Sequence, residues 1–566
     1  MISQLKRKIG QVASDSVLRR WLIGRAFGRH NRPTAFTPHQ PPYVQHLLPL
    51  ARETATWDNL PISKSASSPQ SPLELTLLGT SRSIDPEHTD TFFSAPCDDI
   101  ELELARHRFA WIPLTETLDA HWVSELWQVW RKQFLETDGW AWHPYTAAER
   151  AVNILDAVRR CGMAIESKVL ADDLATHSVR IAQQLEYFGE HDTSNHLANN
   201  GRGLYRLGCA LQMPHSRELG YSILCQEAER IILEGGSLRE GSSHYHMLYV
   251  RNYLDVWLAA LRHGHPREAE QLQNIAKRLL GVAKRLTLPG RLPLMGDISP
   301  DCPPAFLAGI ETGSCLWTRT LSQEEQKRVQ ALASDVSPAD LERLRSDGWI
   351  RADTGPWSLL TSVPAGGWPF MPGHAHQDIG SAEIHFDKQP LFVDPARGAY
   401  GETGEAALYR SSAVHGGLRI DNQDPYPANK PYYSDSFRDA IAGPATSQIS
   451  PNNIIVTHRG YRRLGVETVT RAWAFDDKML SITDSIQGHG QHNVERALVT
   501  PHDVKIQNDK AVIGNMFSVH AIDARPQLMP VRIWRAYGQS TQGTRIVFNT
   551  SVKSSWKGTI NIEVAS

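Results

Sequence analysis

Cysteine is scarce: six residues, at 97, 161, 209, 225, 302 and 315, in a chain of 566. None form a CxxC pair, so a disulfide scaffold is excluded and a zinc ribbon has no support. No apolar run reaches the ~18 residues of a membrane-spanning helix. Charge of one sign is also lacking. With 59 Lys and Arg against 61 Asp and Glu the net charge is −2, and nothing global marks a nucleic-acid binder. There is no Walker A loop, no GxGxxG opening a helix after a strand and no GxSxG elbow. Nucleotide enzymes and serine hydrolases therefore lack a sequence basis, and no cysteine sits in a catalytic context. The N-terminus sets Lys6, Arg7, Lys8, Arg19, Arg20, Arg25, Arg29 and Arg32 against a single acid, Asp15. A signal peptide needs ~7–15 apolar residues after such a region, and Trp21-Leu22-Ile23-Gly24-Arg25 is broken by charge too soon. The expectation is a cytoplasmic protein, with the periplasm as the alternative. The basic segment reads as a solvated amphipathic helix or, more sharply, as a membrane-surface contact.

What is present is an ordinary globular composition, 41% hydrophobic and 21% charged, with 24 His and 16 Trp. Flat aromatic rings stack on sugars, but they also fill cores. Residues 56–96, with Pro61, a Ser-Pro-rich run at 64–72 and Pro86, read as irregular structure. From about 118 to 347 helical periodicity repeats. It begins with Trp122, Leu126, Val129, Trp130 and Phe134, and continues at roughly 146–162, 167–189, 196–212, 217–235, 242–263, 266–286 and 323–346. Successive helices joined by short turns suggest an (α/α) array or incomplete toroid. After Trp349 the texture becomes β, with alternation at 382–386, 417–421, 453–457, 479–483 and 560–564, which suggests an antiparallel β-sandwich. The expected division is a basic, irregular region at 1–95, an (α/α) toroid at 96–348 and a β-sandwich at 349–566. Helices followed by strands make an α+β multidomain chain, and the cleft between the two domains is a natural ligand site.

Three polar clusters stand out. His191-Asp192-Thr193-Ser194-Asn195-His196 opens a helix; Ser194 or Asn195 could cap it, and outward-facing backbone N–H groups there suit a substrate carboxylate. The plainer reading is capping alone. Arg239-Glu240-Gly241-Ser242-Ser243-His244-Tyr245-His246 crowds a phenol, two imidazoles and a carboxylate at the start of an apolar helix. Tyr245 can shuttle a proton only if neighbours tune it or hold it against the reacting atom; the plainer reading is a buried, hydrogen-bonded tyrosine. Gly373-His374-Ala375-His376-Gln377-Asp378 opens the β region, with Asp394 and His415 downstream. His376, Asp394 and His415 make a reasonable zinc donor set, without a spacing signature.

In this order the clusters resemble the heparinase II/III-like polysaccharide lyases. Asn195-His196-Leu197 is similar to the family's Asn-His motif, and Glu240 through Tyr245-His246 to its "E-R-S-P-x-Y-H". Gly373-His374-Ala375-His376 resembles "G-H-[AG]-H-A-D", and Leu391-Phe392-Val393-Asp394-Pro395 resembles "l-V-D-P-G". Arg410-Ser411-Ser412-Ala413-Val414-His415 resembles "R-S-T-x-A-H-N". Weaker echoes are Ala141-Trp142-His143-Pro144-Tyr145 with Arg150, Met295-Gly296-Asp297, Gly460-Tyr461 and Arg471. The resemblance implies a toroid followed by a sandwich, and β-elimination at a uronic acid in an acidic polysaccharide. It implies that Asn195 and His196 neutralise the uronate carboxylate, that Tyr245 is general base, acid or both, and that His374 is its partner. It further implies that His376, Asp394 and His415 hold a divalent metal in a structural role, zinc being the cation that such donors suit. Trp142, Tyr145, Arg150, Glu240 and His246 become candidate substrate contacts.

The motifs also depart from the pattern. Gly241 replaces an Arg, His244 an apolar residue, Gln377-Asp378 an Ala-Asp pair, and Gly416 an Asn. Loss of the Arg cation counts against heparin itself. Two alternatives remain: a glycoside hydrolase using Glu240 and Asp297 as its acids, and a non-catalytic glycan-binding or assembly protein of a surface exopolysaccharide pathway. The sequence leaves homo-oligomerisation open.

Overall fold

The computed structural model describes residues 10, 12–13, 15–31, 33, 36–57, 69–553 and 555–565. Lys6, Arg7, Lys8, Arg32, Pro61 and the Ser-Pro run up to Ser68 lie outside the described residues. The region before residue 96 is more ordered than its composition suggests. It contains helix α1 (Ser16–Ala26) and a hairpin of β1 (Leu73–Leu77) and β2 (Thr80–Ile84).

The helical block comprises α2 (Ile100–Arg108), α3 (Ala120–Phe134), α4 (Pro144–Cys161), α5 (Ser167–Gln183), α6 (His196–Ala210), α7 (Pro214–Ile231), α8 (Ser243–Arg262) and α9 (Pro266–Leu286). Local chemistry sets the starts. Asp99 and Asp119 accept from Glu101 N and His121 N, while Pro144, Pro214 and Pro266 occupy first-turn positions, where no N–H is missed. The single helix expected over 323–346 is two, α10 (Gln323–Asp335) and α11 (Leu341–Ser346). Pro338 cannot continue a helix, and Asp340 starts the second by accepting from Arg343 N at 3.0 Å.

Close backbone approach fixes α6, whose N-terminus carries Asn195 and His196. A Cβ on Gly220 of α7 would sit 2.4 Å from Tyr205 N, and one on Gly208 2.3 Å from Arg217 N. Buried ion pairs then tie α6 to α4 and α8: Arg202 meets Glu149 at 2.6 Å and Asp255 at 2.8 Å.

The C-terminal block is antiparallel throughout. β3 (Trp349–Thr354), β4 (Trp357–Ser362), β5 (Glu383–Phe386) and β6 (Gln389–Phe392) form a meander. There follow β7 (Leu418–Ile420), β8 (Thr446–Ser450), β9 (Asn453–His458), β10 (Val466–Asp476), β11 (Met479–Gly488), β12 (Gln491–Thr500), β13 (Val504–Gln507), β14 (Lys510–Ile513), β15 (Phe517–Ala521), β16 (Pro526–Ala536), β17 (Gln539–Lys553) and β18 (Trp556–Val564). One sheet runs β13-β14-β15-β18-β11-β10-β9-β8 and another β16-β17-β12-β7. Alternating burial in β9 and β11 delivers Ile454, Val456, Leu480 and Ile482 to a core shared with Leu359, Ile384, Leu498 and Phe548 from the smaller sheets. An (α/α) helical region followed by a β-sandwich is thus the architecture.

Backbone hydrogen bonds join the two blocks at one place: His374 N to Glu240 O at 2.7 Å, Asp297 N to His374 O at 2.9 Å and Ile298 N to Arg397 O at 3.1 Å. The N-terminal segment joins them again. Trp21 packs on Tyr432 of the C-terminal block (ring centroids 4.5 Å apart), and Phe36 stacks on Phe188 of the helical block at 4.3 Å.

The α6–α7 contact gives a stability test. Gly220→Val is expected to cost about 1–3 kcal/mol through overpacking, read as a lowered urea midpoint with an unchanged m-value.

Candidate active site

The first residue of the site lies just ahead of α6. Asn195 does not cap the helix; its side chain turns inward. Its backbone N and its Nδ2 donate to the two oxygens of Glu240, each at 2.7 Å, and Nδ2 also lies 3.3 Å from His374 Nε2. Ser194 is the local cap, accepting from His196 N at 3.4 Å. Glu240 is fully buried, so it positions Asn195 rather than meeting a ligand.

Tyr245 comes from the first turn of α8, where Ser242 Oγ accepts its backbone N–H at 3.2 Å. Its ring lies parallel to that of His374, with centroids 3.6 Å apart and 11° between planes. Its hydroxyl meets that of Tyr400 at 2.5 Å. Burial and the nearby Asp301 carboxylate push the Tyr245 phenol well above its ordinary value, against hydrogen bonds from Tyr400 and Ser299. Tyr245 is therefore a neutral phenol at neutral pH.

Asp297 holds both histidines of the HxH segment. His374 Nδ1 lies 3.0 Å from its Oδ2, and His376 Nε2 lies 2.9 Å from its Oδ1. Arg397 donates to both oxygens, at 3.0 and 3.3 Å. Burial alone would raise this carboxyl, but the hydrogen bonds it accepts from the two histidines hold it far below the usual range. An ionised carboxylate only accepts, so the ring nitrogens facing it carry hydrogens. That leaves the Nε2 lone pair of His374 on the side of Asn195. Gly296 and Gly241 allow this approach. Both have positive φ (80° and 73°), and a Cβ on Gly296 would sit 2.7 Å from His374 O, one on Gly241 2.7 Å from Ala375 Cβ. The glycine in place of the expected Arg is thus demanded by packing.

His196 is the most open member, its side chain 43% exposed. Its Nδ1 lies 2.7 Å from Glu186 Oε1, and Tyr145 packs against its ring at 4.7 Å. Desolvation opposes a charge there, but Glu186 outweighs it and raises the imidazole above its ordinary value. Tyr145 donates its hydroxyl to Asp301, which also pairs with Arg108 at 3.0 Å.

Three expected substrate contacts are corrected by burial. Trp142 donates Nε1 to Phe134 O at 2.7 Å inside the helical core. Arg150 is fully enclosed, donating to His177 and the His107 and Ala141 carbonyls, with its guanidinium 3.9 Å from the Trp130 ring centre. His246 accepts from Leu238 N and reaches Leu279 O, bracing α8. All three side chains are enclosed by the fold. Conversely Tyr400, Glu186 and Asp301 went unseen, because no short-range spacing links them to partners 10 to 156 residues away. Asp297 lay within a noted echo, but only as a hydrolase acid.

The ligand atoms of His376, Asp394 and His415 lie within 4.8 Å of one another, all buried. The donor set fits a divalent cation. His376 Nδ1 is a buried nitrogen with no hydrogen-bond partner, and the face turned to Asp297 already carries its hydrogen. His415 Nε2 lies 3.1 Å from the Tyr409 carbonyl, which leaves Nδ1, 2.8 Å from Asp394 Oδ2, to face a cation. Arg471, paired with Asp484, donates to Gly380 O and Gly416 O and so clamps the loops around these residues.

Residues 336–544 match the family model described as Heparinase II/III-like, C-terminal. The C-terminal part of this chain is thus similar to that family's C-terminal domain. A crystal structure of heparinase III superposes over 98% of this chain and 93% of its own, with 14% identity and TM-score 0.62. A heparinase III gene product covers 83% of this chain and 80% of its own at 16% identity and TM-score 0.57. The heparan sulfate lyase HepC from Pedobacter heparinus covers 86% and 80%, at 16% identity and TM-score 0.52. At such identities the likeness is one of fold. No curated protein matches the chain by sequence. Among the described residues, no helix is long and apolar enough to cross a membrane.

The His196–Glu186 pair gives a pH test. By NMR, His196 should titrate above the ordinary histidine value, and Glu186→Gln should bring it down. The stabilisation from the pair is then fully present below the unfolded value of ~6.5 and lost as pH rises through the folded one. A titration unmoved by Glu186→Gln would refute the pairing.

Proposed function

We propose that the chain is a polysaccharide lyase that cleaves a uronate-containing polysaccharide by β-elimination. The observation that carries the reading is the convergence of Asn195, Tyr245 and His374 from three separate segments onto one edge of the domain junction. A uronate C5 proton is weakly acidic. It becomes removable when the adjacent carboxylate is held by donors that accept the charge spreading into it. The second N–H of Asn195, the one not given to Glu240, and the His196 imidazole, whose protonated form Glu186 favours, supply those donors. His374, its Nδ1–H held by Asp297, offers Nε2 as the base. The electrons of the C5–H bond form the C4–C5 double bond, and the C4–O4 bond breaks. Tyr245, a neutral phenol, gives its proton to the departing O4. Stacked as they are, base and acid reach the sugar from one side, which suits a syn elimination. The expected product is a chain ending in an unsaturated uronate. His376, Asp394 and His415 would hold a divalent cation, zinc by its donor preference. A bound cation would supply a cross-link that fixes the loop carrying His374.

The hydrolase reading is the weaker one. It needs an acid that can donate, whereas Glu240 is consumed by Asn195 and Asp297 is held ionised by two histidines and Arg397. The division into an N-terminal region to 95, a helical domain to 348 and a sandwich from 349 belongs to the same proposal.

Incubation with a panel of acidic polysaccharides tests the reading. New ultraviolet absorbance from an unsaturated uronate supports elimination, while reducing ends without it mean hydrolysis. Substrates with H5 and O4 on one face should be cut and their C5 epimers spared. Tyr245→Phe is expected to lower kcat by about 10²–10⁴-fold with unchanged unfolding; full activity in that variant would remove Tyr245 from the chemistry. Elemental analysis of the purified protein should find a bound divalent metal that His376→Ala largely loses.

A further inference from the structure

Helix α1 has two unlike faces. Val17, Leu18, Trp21 and Gly24 are buried, Val17 and Trp21 within the core of the C-terminal block. Trp21 sits on Tyr432 and Tyr433, and His30 folds back parallel to Trp21 (5.8 Å, 2°) while meeting Phe437 edge-on at 5.2 Å. The helix is therefore docked, and its orientation is set. The opposite face presents Ile23, 58% exposed, and Phe27, 77% exposed. They are four residues apart, so they are neighbours one turn along the same side. Arg19, Arg20 and Arg29 border them, all exposed, while Arg25 lies over the Trp21 ring on the docked side, 5.9 Å from its centroid. No acid occurs between residues 16 and 31, and Lys6, Arg7 and Lys8 precede the helix in sequence. Asp15 is engaged as the N-cap, accepting from Val17 N and Leu18 N. Ile23 and Phe27 line a groove with Phe437 and Ala440 of the C-terminal block, whose short helix there carries two exposed acids, Asp435, paired with Arg438 at 2.9 Å, and Asp439.

We propose that this face is a docking surface for an anionic lipid membrane. A hydrated acidic polymer would satisfy the arginines but offers nothing to Ile23 and Phe27, which remain largely exposed. At a lipid interface both needs are met together. The two apolar side chains enter the boundary between headgroups and acyl chains, and the arginine stems lie along it with their charges at the phosphates. Two apolar residues alone bind weakly, so the cationic ring supplies the second signal that peripheral attachment requires. Because the buried face of the same helix is fixed to the C-terminal block, attachment would hold the whole protein at the surface in one orientation. This inference stands independently of the lyase reading.

The test uses the full-length protein and liposome sedimentation. Vesicles of phosphatidylcholine with added phosphatidylglycerol should pull the protein down at low salt, and pure phosphatidylcholine should not. Ile23→Ser/Phe27→Ser should weaken vesicle binding at least about tenfold, with circular dichroism and melting unchanged. Arg20→Gln/Arg29→Gln should weaken it about 25-fold, at about fivefold per arginine. Dextran sulfate serves as a soluble polyanion. Absence of binding to the anionic vesicles overturns the proposal. So does vesicle binding that ignores Ile23→Ser/Phe27→Ser but falls with the arginine pair in parallel with dextran sulfate binding, since that marks a polyanion site.

Discussion

The carboxylate of Asp297 is the point on which the rest is hung. It arises on a loop of the helical block, yet all four hydrogen bonds to its side chain come from three residues after 373, and its own backbone N–H donates across the junction to His374 O. One oxygen orients His374 toward Asn195 and the other orients His376 toward Asp394 and His415. The proposed base and the candidate metal centre therefore share a single anchoring group. Arg397 keeps that group charged and still, itself tied to Ala406 O and Gly401 O. A carboxylate this buried would be costly alone; with two imidazoles and a guanidinium it is fully engaged.

Around this anchor the site is assembled by convergence. The helix N-termini of α6 and α8 bring Asn195, His196 and Tyr245 from one block, and a loop outside any strand brings His374 from the other. Positive-φ glycines at 241 and 296 let the segments approach until ring stacks on ring. The polar residues just behind them are committed to holding the front rank. Glu240 grips Asn195, Glu186 favours the protonated form of His196, and Asp301 engages Tyr145 and Arg108.

Periodicity made the architecture legible. Helices with apolar residues at three- and four-residue steps and strands with alternate burial occupy nearly the stretches read for them. The break at Pro338 was missed because charged, Leu-spaced sequence on both sides masks it. The hairpin at 73–84 was missed because its strands are short and set in Ser- and Pro-rich surroundings. In the site, Asn195, His196, Tyr245 and His374 were legible because each sits in a distinctive local string. Tyr400, Glu186 and Asp301 were not, since each earns its place only through a contact that folding creates. Trp142, Arg150 and His246 show the converse. An aromatic or cationic side chain beside a motif reads as a ligand contact until burial reveals that the core has claimed it.

The crossing of the N-terminal segment has a mechanical meaning. The chain leaves its anchorage on Tyr432 and Phe437 and is seated on Phe188 by Phe36, so only five peptide links separate Asn31 from Phe36. Even at full stretch those links reach no further than ~18 Å. The helical and sheet halves are thus joined by one covalent link, the turn at 347–348, and by this strap, which packs non-covalently on both. Two bodies hinged at one point can gape; a strap across both restrains them to smaller excursions.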